Sequence, residues 1–205
     1  MYTVYDEKEE KFVKVEEPSP LYGYTYADYL QWKFEERLEL LRGKIFQLAA
    51  PNTQHQIISL KLSNAFYTYL KGQVCRVFAA PFDVRLPAQN CKKDNEITTV
   101  VQPDLCVVCD PKKIDDRGVC GAPELMIEIL SPGNNRKELK YKFELYEEAG
   151  VREYWVVYPS VQNVTVFLLN KEGKFGGAKI YADGDRLAAT AVPGFSIDVT
   201  EIFTP

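Results

Sequence analysis

The sequence predicts an α/β protein, a mixed β-sheet flanked by helices and extended by β-hairpins. Long segments carry apolar residues at helical spacing, and short apolar runs bounded by Gly, Pro, Asn or Asp read as strands. The two kinds of segment are interleaved along the chain, which is the pattern of helices packed on a sheet. At 205 residues, 46% of them hydrophobic, the chain has the length for one ordinary domain with a sizeable core, plus a short extension. We expect a polar extension over residues 1–20 and a single domain over 21–205.

The elements follow in order. Thr25 and Asp28 have the spacing of a capping box, which opens a helix toward Arg37. Leu38 to Leu41 and Lys44 to Leu48 flank Arg42-Gly43, the signature of a tight hairpin. Pro51, Asn52 and Thr53 introduce a second helix to about Lys71, with Ile58, Leu62, Phe66, Tyr69 and Leu70 at helical spacing and Gly72 ending it. Val74 to Leu86 reads as one long or bent strand broken near Pro81. Pro87 to Thr99 reads as a loop, Val100 to Cys109 as a strand, Asp110 to Gly121 as a loop and Glu124 to Leu130 as a buried strand. Asn135 and Glu138 form a capping pair for a third helix, which runs to Ala149 and stops at Gly150. Glu153 to Tyr158, Asn163 to Leu169, Lys179 to Tyr181 and Phe195 to Val199 are the remaining strands.

Bulk properties exclude several functions. No apolar run approaches the roughly 18 residues of a membrane span, and residues 1–17 are charged without the apolar stretch of a secretory signal. A cytoplasmic protein is the expectation. The five cysteines are odd in number and widely spaced, which does not read as a disulfide framework and fits a reducing compartment. Cys106 and Cys109 lie three apart on a strand and point to opposite faces, so they do not share a metal. The single histidine, His55, argues against Ser-His-Asp chemistry and against histidine-rich metal sites. A net charge of −4 argues against strong non-specific DNA affinity, yet metal-binding carboxylates themselves lower the charge and a bound cation reverses it locally.

One constellation carries chemistry. Glu128 lies in the apolar run Glu124 to Leu130, where a lone carboxylate is expensive unless paired or bound to metal. If the preceding strand is its neighbour, Asp104 faces it. Two close carboxylates, with the backbone carbonyl of Ile129 as a third ligand, suit Mg²⁺ or Mn²⁺. On the next helix Leu139, Phe143 and Tyr146 mark a buried stripe that also contains Lys142, an inward lysine in need of an anionic partner. Lys140 turns to solvent. Glu39, among leucines in the first hairpin, completes or lines the anionic site. His55, Lys140 and Arg136 are candidate contacts to a nucleic-acid phosphate.

The set Glu39, Pro103-Asp104, Glu128 and Lys142 resembles the PD-(D/E)xK nuclease superfamily and its restriction-endonuclease-like fold. More narrowly, the stretches from Leu38 to Ile45, Val101 to Leu105, Glu128 to Pro132 and Lys142 to Val157 resemble the bacterial Uma-two family of endonucleases, over roughly residues 24–169. The superfamily places its lysine two residues after the glutamate, where this chain has Leu130. The resemblance implies that Lys142 takes over from the helix. It also implies an endonuclease in which Asp104 and Glu128 hold Mg²⁺, Lys142 orients a water or stabilises the transition state, and Glu39 assists. DNA is the implied partner, with a homodimer where both strands are cut. A nuclease-fold module without activity, binding nucleic acid or a protein, is the alternative.

Overall fold

The computed structural model describes residues 2–6, 11–15, 23–32, 37–48, 50–87, 93–131 and 136–204, with the side chains of 2–6, 11–15 and 136–138 outside the description. In chain order the elements are β1 (Tyr2–Asp6), β2 (Lys11–Val15), α1 (Tyr26–Tyr29), β3 (Leu38–Leu41), β4 (Lys44–Gln47), α2 (Thr53–Leu70), β5 (Arg76–Ala79), β6 (Val84–Arg85), β7 (Val100–Val101) and β8 (Leu105–Val108). They continue as β9 (Ile114–Asp115), β10 (Gly118–Cys120), β11 (Leu125–Ile129), α3 (Arg136–Ala149), β12 (Glu153–Tyr158), β13 (Asn163–Leu168), β14 (Lys179–Tyr181), β15 (Arg186–Ala188), β16 (Ser196–Asp198) and α4 (Val199–Phe203).

A central sheet has the strand order β14-β13-β12-β11-β8-β5, and a second sheet the order β4-β3-β7-β6-β10-β9. In the central sheet β11 and β12 are parallel, and the other neighbours are antiparallel. A parallel pair needs a crossover, and α3 is that crossover. β1 and β2 form a separate antiparallel hairpin, as do β15 and β16.

Two expected strands are each divided between the sheets. The strand expected over 74–86 becomes β5 in the central sheet and β6 in the second. The strand expected over 100–109 becomes β7 in the second sheet and β8 in the central one. Pro81 and Pro103 sit in the two breaks and cannot donate to a ladder, so the chain changes sheets there. The expected loop over 110–121 contains β9 and β10, which pair with each other.

The first helix is one turn, shorter than its cap promised. The Thr25–Asp28 capping box forms, but the bonds from Gln31 N to Asp28 O and Trp32 N to Tyr29 O already skip back only three residues. The Trp32 ring folds onto Tyr24 and Tyr29, at 4.9 and 5.9 Å between centroids, which draws the chain out of the helix. The tail also differs, since strand β16 gives way to α4, with Asp198 capping Thr200 N. Asn135 lies outside the described residues, as does the Glu138 side chain.

The hairpin and the longer helices match the expectation. Arg42 and Gly43 have φ of 49° and 75°, the left-handed pair of a type I′ turn. A Cβ on Gly43 would lie 2.8 Å from Gly23 Cα, so the close approach also requires glycine. α2 is capped by Asn52, whose side chain accepts from His55 N, and Gly72 beyond it has φ of 80°.

The central sheet is covered on both faces. α2 packs Ile58, Leu62, Phe66 and Leu70 on Leu105, Ile127, Ile129 and Trp155, with Phe195, Val199 and Ile202 closing the cluster. On the other face Met126, Tyr154 and Val156 meet Leu145 and Tyr146 of α3 and Leu41, Val84 and Val101 of the second sheet. Cys106 joins this second cluster, while Cys109 packs on the α2 side, so the two do point to opposite faces.

The expectation that the cysteines form no disulfide is corrected. Cys75 and Cys109 are bonded, with an S–S distance of 2.03 Å. Arg76 pairs with Val108 in the β5–β8 ladder, and continuing that register places Cys75 opposite Cys109, which sequence spacing did not reveal. Cys120 is disulfide-bonded as well, and Cys106 is a buried free thiol. Among the described residues no helix is long and apolar enough to cross a membrane.

Phe66 is fully buried, stacked on Phe195 at 3.8 Å and tilted against Trp155 at 5.7 Å. Phe66→Ala should lower stability by about 3–5 kcal/mol, measured as a shift of the urea midpoint. A loss below about 1 kcal/mol would contradict this packing.

Candidate active site

Asp104 stands where the chain leaves β7 in the second sheet and enters β8 in the central one. Leu105 of β8 pairs with Ile127 of β11, so the continued register sets Asp104 opposite Glu128. One oxygen of Asp104, Oδ2, accepts from Ile129 N at 2.7 Å. Both carboxylates and Ile129 line a cavity of about 140 Å³.

Side-chain alternation on β11 turns Glu128 toward α3, along with Met126. There Lys142 Nζ donates to Glu128 Oε1 at 3.1 Å, and the Tyr146 hydroxyl donates to the same oxygen at 2.6 Å. Lys142 and Tyr146 lie four apart and so occupy one helix face. The inward reading of Lys142 holds, since it is 3% exposed. The stripe is centred on Lys142, Leu145 and Tyr146, with Leu139 and Phe143 only half-buried. Leu130 packs among apolar side chains, and the helix brings a lysine to the glutamate that the strand does not supply.

Glu39 reaches the same lysine from the second sheet. Its Oε1 lies 2.9 Å from Lys142 Nζ and accepts from Gln102 N at 2.7 Å. Glu39 is fully buried, and its Oε2 has no hydrogen-bond partner.

His55 approaches from the opposite face of the central sheet, with Nε2 3.1 Å from Asp104 Oδ1 and Nδ1 buried without a partner. The signal was present in the sequence: residue 55 continues the buried stripe of Ile58, Leu62 and Phe66 back by one step. Lys140 lies outside the cavity lining, at 79% side-chain exposure and 3.9 Å from Glu144. The Arg136 side chain lies outside the described residues.

Three residues at the site had no role in the sequence reading. Gln102 donates through Nε2 to Asp83 Oδ1 at 2.9 Å and to the Tyr29 hydroxyl at 3.1 Å, and accepts from Arg37 Nε at 3.0 Å. Arg37 lines the cavity. Tyr146 read only as a core residue. Its hydroxyl pKa is raised well above the ordinary value, by burial first and then by Glu128 and Glu39, which keeps it a neutral donor.

The electrostatics are unbalanced toward acid. Burial pushes the Glu128 carboxyl up to about 8, Lys142 works against that rise, and Asp104 and Glu39 add to it. Among the described residues no three His, Cys, Asp or Glu side chains gather closely enough to hold an ion alone. The donors that line the cavity are two hard carboxylates, Asp104 and Glu128, with the backbone of Ile129 beside them. Such a set fits a cation that retains several waters, as Mg²⁺ does. The unpartnered Glu39 oxygen fits the same excess of negative charge.

A pH dependence follows. The folded chain holds the Glu128 proton more tightly than the unfolded chain does, where the ordinary value is 4.5. Stability from this group is therefore complete below that value and is lost as pH rises through about 8. The urea midpoint of metal-free protein should fall over that window, and Glu128→Gln should flatten the slope. An identical slope in the variant would contradict the assignment.

Comparisons with known proteins agree with this architecture. Over residues 26–200 the chain matches the model of the Uma-two family, described as "Putative restriction endonuclease". An uncharacterized protein of Synechocystis is 26% identical over 176 residues, covering 84% of this chain and 88% of that protein. The crystal structure of "a putative nuclease belonging to DUF820" from Anabaena variabilis superposes with a TM-score of 0.69 at 20% identity. It covers 88% of this chain and 97% of that one. The fold is thus the mixed α and β, restriction-endonuclease-like architecture that the sequence predicts, and the chain belongs to the Uma-two restriction endonuclease family.

Proposed function

We propose that this chain is a Mg²⁺- or Mn²⁺-dependent endonuclease that hydrolyses DNA phosphodiester bonds. The observation that carries the reading is the convergence of Asp104, Glu128 and Lys142 on one cavity, although they come from a sheet crossing, a strand and a helix. Asp104 and Glu128 would hold the cation, with the carbonyl of Ile129 as a third ligand. When bound, the ion would lower the pKa of a water and offset charge on the scissile phosphate.

The chain's own residues set up that chemistry. Ile129 N and His55 Nε2 each hold one oxygen of Asp104, so the carboxylate has little freedom to rotate. Lys142 and Tyr146 hold Glu128 by a single oxygen, Oε1. Lys142 also offsets the charge of the buried acids, and Glu39 fixes Lys142 in turn. Lys140, exposed on α3 outside the cavity lining, would meet the DNA backbone. Cutting both strands calls for a second site, which a homodimer would bring.

Plasmid DNA should be nicked only when Mg²⁺ or Mn²⁺ is present, and nicking should fall to background in Asp104→Ala and in Glu128→Ala. Glu39→Gln and His55→Ala, which disturb supporting contacts, should reduce the rate by about 10–100-fold. Nicking unchanged in Glu128→Ala would assign the cleavage to another protein. Calorimetry with Mn²⁺ gives an independent check, since the binding heat should vanish in Asp104→Ala.

A further inference from the structure

We infer that Arg37 binds a phosphate of the substrate in this cavity, an assignment that rests on the nuclease reading above. A phosphodiester entering a pocket lined by Asp104 and Glu128 meets like charge, so the protein needs a cation whose donors remain available. Lys142 is 3% exposed and its Nζ already serves Glu39 and Glu128. His55 is 7% exposed and directs Nε2 at Asp104. Lys140 does not line the cavity.

Arg37 is the lining cation with donors to spare. It is half-buried on the cavity wall. Its Nε donates to Gln102 Oε1 at 3.0 Å, and its two terminal nitrogens have no protein partner among the described residues. Among the described residues no carboxylate pairs with it. A guanidinium held at Nε by a neutral amide keeps its full charge and presents two NH₂ groups, a fork that matches two phosphate oxygens.

The direction of the fork is built in. Gln102 Nε2 donates to Asp83 and to Tyr29, so its Oε1 is the atom left to receive Arg37. Gln102 N is tied to Glu39 Oε1. Arg37 and Glu39 are two apart along an extended chain and share its face. One network therefore positions the phosphate-binding cation relative to the carboxylate cluster.

The test uses the full chain and a fluorescein-labelled DNA duplex, with Ca²⁺ replacing Mg²⁺ so that binding is read without turnover. Anisotropy titrations at several salt concentrations give affinity and the slope of log K against log salt. Arg37→Ala should bind about 10-fold more weakly, with a slope reduced by about 0.9, the value for one lost phosphate contact. Arg37→Lys should keep the slope and recover part of the affinity. An unchanged affinity and slope in Arg37→Ala, with wild-type DNA binding intact, would overturn the assignment and leave the nuclease reading standing. Equal losses in both variants with an unchanged slope would mark a structural role and overturn it too. Wild-type protein that neither binds nor nicks DNA would overturn the nuclease reading, and this inference with it.

Discussion

The site depends on a buried ion triad, Lys142 between Glu39 and Glu128. The three side chains come from α3, the second sheet and the central sheet, and each is at most 10% exposed. Removing such charges from water costs several kcal/mol per ion, and one lysine does not neutralise two carboxylates. Apolar residues of similar volume would stabilise this position at least as well. The triad is therefore best understood as a device for holding charge in a set place, with an excess of negative charge that a bound cation would correct. Burial is the main cause of the raised Glu128 pKa, and the neighbouring Asp104 and Glu39 add to it.

The second constraint is the change of sheet between β7 and β8. Val101 ends one sheet, Leu105 begins the other, and the intervening Gln102-Pro103-Asp104 carries two side chains into the cavity. Ladder pairing lapses along most of this crossing, where Asp104 O still accepts from Ala80 N at 3.1 Å, so the rest of its backbone must find other partners. Gln102 N finds Glu39, and Asp104 returns a bond to Ile129 N. The groups that close the crossing are those that build the site, so fold and site share their hydrogen bonds here.

Much of this was legible in the sequence. A glutamate isolated among apolar strand residues, an aspartate before the neighbouring strand and a lysine on a helical core stripe located the cluster without any coordinates. The capped α2 and the hairpin at Arg42-Gly43 were equally plain, because local chemistry alone decides them. What sequence patterns did not give were facts of pairing. The split of the two long strands between sheets depends on which edge each half finds. The Cys75–Cys109 bond depends on ladder register across 34 residues. Arg37 and Gln102 carry no periodic signal, and they matter only because β3 and β7 are neighbours.

That the lysine beside Glu128 comes from a helix changes what the cluster depends on. A lysine two residues from the glutamate on β11 would be placed by the strand alone. Lys142 is placed by the docking of α3, and Tyr146, on the same helix face, binds the same Glu128 oxygen. Helix and strand are thus joined at the chemical centre by two hydrogen bonds to one atom. Packing of Tyr146 against Tyr154, at 5.0 Å between ring centroids, extends that join into the core of the parallel pair. A loosening of α3 would move the base of the site and the core together, so the site's geometry inherits the rigidity of the β11–α3–β12 crossover.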